Sequence, residues 1–198
     1  MTLYGVLRRS VSPVVRAFGR LEVDGAGGVP AGPVVVVANH DSLTDPFFLG
    51  AALDRPLRFL TKSELWRYRL VGRLLDELGG IPVERARGDL TAVAAAGRAL
   101  TEGAAVVVFP QGTVLGPADR PWQRGAARLA LTTGAPLLPV AIVGAANVHR
   151  PGTRVPRPAH VRVVIGPPIV VEQAAPTIPA ARDLTARVRE AVNSLAGH

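Results

Sequence analysis

The sequence predicts a single α/β domain with a mostly parallel central sheet flanked by helices. Three observations carry that prediction. Short, valine-rich apolar runs recur along the chain. The stretches between them place apolar residues at helical spacing. Hydrophobic residues make up 48% of the 198 and charged residues 19%, enough apolar material for one core and too much for a disordered chain. Short buried strands alternating with helices form βαβ units, in which each helix crosses back to start the next parallel strand.

In chain order, residues 3–20 interleave Leu3, Val6, Leu7, Val11, Val14, Val15 and Phe18 with Arg8, Arg9, Arg16 and Arg20. This predicts an amphipathic helical region over 1–25, bent or broken near Ser12 and Pro13 because proline removes a helical N–H. Its apolar side serves either the core or a membrane surface, with the arginines at the headgroups. Strands are expected at 33–38, 57–61, 80–84, 105–109, 137–143 and 161–165, and helices at 46–53, 63–78, 89–102 and 124–133. A last helix at 179–195 carries Leu184, Val188 and Leu195 on one side, within a C-terminal region at 175–198. Pro136 and Pro139 in one apolar run point to an edge or irregular strand. Residues 150–160, rich in Pro and Arg, read as a surface loop. No stretch reads as an interdomain linker, so one domain is expected over 1–198.

Lys+Arg number 23 against 15 Asp+Glu, a net charge of +8, and Lys62 is the sole lysine. A basic surface favours phosphates on lipids, cofactors or nucleic acid. Nucleic acid is set aside because clustered aromatics for base stacking and any known reading motif are missing. The chain has no cysteine, which excludes disulfides, thiolate zinc sites and a thiol nucleophile. No apolar segment reaches the roughly 18–20 residues of a membrane span. The N-terminal stretch has no signal-peptide pattern. A cytoplasmic protein, peripheral on the inner face of the cell membrane, is expected.

The chemistry concentrates at strand ends. Val34–Ala38 runs into Asn39, His40, Asp41, Ser42, Leu43, Thr44, Asp45 and Pro46. His40 therefore stands where a buried strand stops, and open α/β sheets bind ligands beyond those carboxyl ends. Asp45 precedes Pro46, the favoured residue of a first helical turn, and is expected at the N-cap. A carboxylate there can also accept an imidazole N–H, fixing the tautomer and stabilising the imidazolium formed on proton abstraction. Ser42 is a weak nucleophile candidate without a G-x-S-x-G elbow. His149, His160 and His198 lie too far from His40, and without H-E-x-x-H spacing, to suggest a metal.

Two further blocks end in polar groups. Gly79 to Arg85 is a glycine-led strand closing on Glu84 and Arg85. Arg85 can bind a phosphate through its planar fork, or pair with Glu84 or Asp89. Val106 to Thr113 turns sharply at Pro110, Gln111 and Gly112, where backbone amides can face an anion or a developing oxyanion.

Taken in order, these blocks resemble the glycerolipid acyltransferase family, which includes 1-acylglycerol-3-phosphate acyltransferases of the bacterial plsC type. Asn39, His40 and Asp45 match its N-H-x4-D motif, and Gly80 to Arg85 match the block ending in a substrate-binding arginine. Phe109 to Thr113 resemble F-P-E-G-T-R-S, and Leu138 to Ala141 the proline-containing fourth block. The motif-bearing core spans 30–145. The resemblance implies a glycerol-3-phosphate acyltransferase-like fold and an O-acyltransferase in phospholipid biosynthesis. His40 would be general base and Asp45 its orienter. Arg85, Gln111, Gly112, Thr113 and Arg124 would bind substrate. The donor would be acyl-CoA or acyl-carrier protein and the acceptor a lysophospholipid at an anionic membrane surface, with no cofactor and no metal. Gln111 stands where the family has glutamate, and Val114 where it has arginine. Arg120 or Arg124 is expected to supply the missing cation. Otherwise the acceptor is a different lysolipid or polar alcohol, or the chain is a catalytically silent lipid binder.

Overall fold

The computed structural model describes residues 3–84, 90–114, 120–149 and 155–197, with backbone only at 3–9 and 90. The strands are β1 (Glu22–Asp24), β2 (Val34–Ala38), β3 (Leu57–Lys62), β4 (Ile81–Val83), β5 (Ala105–Val108), β6 (Leu137–Val143) and β7 (Arg162–Ile165). The helices are α1 (Leu3–Phe18), α2 (Asp45–Ala52), α3 (Arg69–Glu77), α4 (Leu90–Thr101), α5 (Gly125–Thr133), α6 (Ala145–Val148) and α7 (Ile178–Ala196). The strands form one sheet in the order β1-β7-β6-β2-β5-β3-β4. From β6 to β4 every neighbouring pair is parallel. β7 runs antiparallel to β6, and β1 runs parallel to β7, so one edge is reversed.

β2 lies at the centre because both of its faces are apolar. Val34, Val36 and Ala38 face one layer with Phe48, Leu49 and Leu53 of the α2 segment. Val35 and Val37 face the other, with Ala96 and Leu100 of α4, Ala126, Leu129 and Ala130 of α5, and Leu184 and Val188 of α7. All five β2 residues are fully buried, as expected of a parallel strand covered on both sides. Val36 aligns with Val107 of β5 and Leu138 of β6. The sheet therefore brings the ends of β2, β5 and β6 to one mouth, and the loops that carry His40 and Gln111 leave from there.

Several expectations change. α1 runs unbroken through Pro13. Val15 and Phe18 pack on the core, and the Arg16 guanidinium donates to the Ala51 carbonyl at 2.5 Å, which holds the helix to α2 despite the lost N–H. β6 is a central strand and not an edge. Pro139 pairs with Val37 on one side, and its missing N–H faces the end of β7, where Gly166 donates to the Pro139 carbonyl at 2.9 Å. The expected helix at 63–78 divides into a 3-10 turn, Ser63–Arg67, and α3, because Tyr68 between them is extended. β1 and α6 were not expected from the pattern. Among residues 150–160, those from 155 on form no helix or strand.

Candidate active site

The loop after β2 is held by polar groups on every side. The Asn39 carboxamide continues the β2–β6 ladder in place of a peptide unit: its Nδ2 donates to the Ile142 carbonyl (2.8 Å) and its Oδ1 accepts the Ile142 N–H (2.7 Å). Asn39 Nδ2 also donates to Asp41 (2.6 Å). The His40 N–H donates to Oε1 of Gln111 from the loop after β5 (2.7 Å). The ring of Phe109 stacks on the imidazole, with centroids 4.2 Å apart and planes 20° apart. His40 is thus fixed by its backbone, its ring face and its ring nitrogen.

The nitrogen contact is the decisive one. His40 Nδ1 lies 2.9 Å from Oδ2 of Asp45. The same Oδ2 accepts the N–H groups of Asp41 (2.8 Å) and Ser42 (2.8 Å). An ionised oxygen that accepts two amides takes the Nδ1 proton as the third, leaving Nε2 as the basic nitrogen. The His40 side chain is 14% exposed and that of Asp45 only 1%. Burial pushes the Asp45 carboxyl above its ordinary 3.8, against the opposing pull of the His40 and amide hydrogen bonds. Its other oxygen, Oδ1, is buried and has no hydrogen-bond partner among the described residues.

Asp45 departs from the expected capping role. It is the first residue of α2, the N-cap is Thr44, and the carboxylate turns back to the amides of Asp41 and Ser42. Ser42 is buried, its hydroxyl 2.8 Å from that of Thr44. That engagement weakens it further as a nucleophile.

The remaining expected site residues behave differently from one another. Gln111 sits beside His40, but its oxygen is occupied by the His40 amide. Gly112 has φ +73°, which favours glycine, and a Cβ there would lie 2.8 Å from Nε2 of Gln123. Its own N–H closes a turn onto the Phe109 carbonyl (3.0 Å). Thr113 is half-buried and already engaged. The side chain brought against Gly112 is Gln123, while Arg120, Arg124 and Arg128 are all exposed. Arg85 lies outside the described residues. Sequence reasoning assigned no role to Asn39 or Phe109 beyond motif membership. Asn39 pairs with a residue 103 positions away, which no local pattern announces.

Comparison with known proteins now has a geometry to attach to. The chain is 31% identical over 167 residues to a 1-acyl-sn-glycerol-3-phosphate acyltransferase of Pseudomonas aeruginosa, covering 79% of this chain and 62% of that protein. It is 35% identical over 123 residues to a lyso-ornithine lipid O-acyltransferase of the same organism, covering 61% of this chain and 47% of the other. The solved structure of the 1-acyl-sn-glycerophosphate (LPA) acyltransferase PlsC from Thermotoga maritima superposes with a TM-score of 0.73. That match spans 100% of this chain and 85% of the other at 24% identity, a likeness of fold. An acyltransferase family model matches residues 20–143, which takes in β1 to β6 and the His40–Asp45 loop. The chain belongs to the acyltransferase family.

Proposed function

We propose that the protein transfers a fatty acyl chain from an acyl thioester, acyl-CoA or acyl-carrier protein, to the hydroxyl of 1-acylglycerol-3-phosphate, forming phosphatidic acid. The observation that carries this reading is the His40–Asp45 pair at the mouth of β2, in a chain of this family. Nε2 of His40 takes the acceptor hydroxyl proton as the oxygen attacks the thioester carbonyl carbon. The tetrahedral intermediate collapses, the C–S bond breaks, and His40 returns the proton to the leaving thiolate. Asp45 orients the ring and stabilises the imidazolium. The absence of cysteine from the sequence and the engaged Ser42 both favour direct transfer over an acyl-enzyme. Arg85 is assigned the acceptor phosphate, with Arg124 as a second cation on the loop that reaches Gly112 through Gln123.

A second reading keeps the reaction and changes the acceptor. Val114 replaces a cation, and the neutral Gln111 is committed to the His40 amide, which favours a lysolipid without a phosphomonoester. The likeness to the lyso-ornithine lipid enzyme supports it. The test incubates the protein with labelled acyl donor and each acceptor in turn. Labelled phosphatidic acid supports the first reading, and product from another lysolipid alone supports the second. No product from any acceptor, with donor thioester intact, would reduce the protein to a lipid binder.

A further inference from the structure

Helix α3 stands apart from the core. Its principal packing is against the 3-10 turn that precedes it, and among its described residues only Gly72 is buried. Trp66 holds the two together. Its Nε1 donates to Asp76 (2.8 Å), and a Cβ at Gly72 would come within 3.2 Å of the Trp66 carbonyl, so glycine allows the close approach. The outward side is apolar. Leu70 is 81% exposed and Leu74 44%, four residues apart on one stripe, with Val71 beside them, Tyr68 just before the helix and Leu65 on the preceding turn. A soluble helix buries such a stripe.

The charges follow a second pattern. Arg69 and Arg73, also four apart, form a row beside the leucines, and Lys62 and Arg67 precede them. Arg69 opens the helix, while Asp76 and Glu77 close it. This is the unfavourable order for the helix dipole, which prefers acids at the start and bases at the end. The cations are therefore not placed to stabilise the helix. They gather at its first turns, which follow the carboxyl end of β3, the same end of the parallel sheet where His40 follows β2. Leu43 and Phe47, both exposed, flank the start of α2 at that end too.

We propose that the outer face of α3, with the preceding turn, docks the protein on an anionic lipid bilayer, its leucines in the acyl boundary and its arginines at the headgroups. This rests on the lysolipid acceptor reading above and names the surface through which such an acceptor is reached. A second copy of the chain suits the face less well, since a two-fold contact would bring both sets of arginines together.

The test is flotation of the full chain with phosphatidylcholine vesicles, with and without phosphatidylglycerol. The expected result is binding that requires phosphatidylglycerol. Leu70→Gln/Leu74→Gln and Arg69→Gln/Arg73→Gln should each lower partitioning by about tenfold or more. Val11→Gln/Val14→Gln on α1 should lower it less. Acylation of a monomeric short-chain acceptor without vesicles should be unchanged in all three, which also reports that they fold. Unchanged flotation of Leu70→Gln/Leu74→Gln overturns the proposal, as does loss confined to the α1 variant. A wild-type dimer that this α3 variant turns into a monomer, with flotation intact, assigns the face to self-association. If the α3 variants lose flotation but keep the wild-type melting curve while no acceptor is ever acylated, the docking surface stands and the enzymatic reading falls.

Discussion

The His40 loop and the β3–β4 crossover leave the same end of the sheet and are built in opposite ways. In the first, nearly every polar group is engaged: Asn39 with Ile142, His40 with Gln111 and Asp45, Asp45 with two amides. In the second, a strongly amphipathic helix leaves its leucines in solvent and leans on one tryptophan. The contrast separates two demands on one face. A proton-transfer centre needs fixed geometry, because small displacements of a base cost rate. A docking element needs apolar surface that the protein's own core does not claim.

Substitutions can break that contrast, and the largest effects belong to the fixed loop. His40→Ala should lower turnover by about 10²- to 10⁴-fold in a protein that still unfolds cooperatively, measured by labelled acyl transfer beside a melting curve. A loss below about tenfold would remove His40 from the role of base.

Asp45→Asn should cost about 10²-fold or more in kcat. An asparagine oxygen can still accept the imidazole N–H and an amide, so the ring stays oriented while the negative charge is lost. Stability should move differently. The Asp45 carboxyl lies above its ordinary value in the fold, so its contribution is present below 3.8 and is lost as pH rises through the folded value. The melting temperature of the Asn variant relative to wild type should therefore be more favourable near pH 7 than near pH 3.8, as read from paired unfolding scans. The opposite trend would mean that the donors on Oδ2 outweigh burial.

Gln111 offers a smaller and more informative change. Gln111→Met removes the acceptor of the His40 amide, a bond worth about 1 kcal/mol, and should reduce kcat by roughly fivefold to tenfold. Gln111→Glu keeps the acceptor and adds a charge, so it should raise the acid limb of the kcat/KM profile toward higher pH. A limb that does not move would place the side-chain charge too far from the ring to matter. Smallest of all, Phe109→Leu should cost a few-fold in kcat, since a branched chain still covers the imidazole but cannot stack on it.

The two regions also differ in how well the sequence announces them. β2, β5 and β6 are legible as continuous apolar runs because strands buried on both faces need no polar alternation. The His40–Asp45 pairing is legible because five residues of loop and helix start keep the two side chains close. β1 is not legible, since Glu22–Asp24 is short and mostly exposed and gains its strand character from pairing with Arg162–Val164. The central position of β6 is hidden by Pro139, whose lost donor matters only if a neighbour continues past it. The turn at Gly112 is legible as a glycine, but the carbonyl that its N–H takes, that of Phe109, is seen only in the fold. The exposure of α3 is equally invisible, because an amphipathic pattern records that a helix has an apolar side and says nothing about what covers it.

Asp45 is buried, and one of its oxygens carries the His40 ring and two backbone amides. A carboxylate so far from water is an uncomfortable anion while the imidazole is neutral. Its discomfort is relieved once the ring takes a proton and a full positive charge appears 2.9 Å away. The attraction within the pair therefore grows as the hydroxyl proton moves to the ring. In the proposed mechanism that burial keeps water from the resting carboxylate, so its strongest interaction comes with the imidazolium formed at the moment of attack.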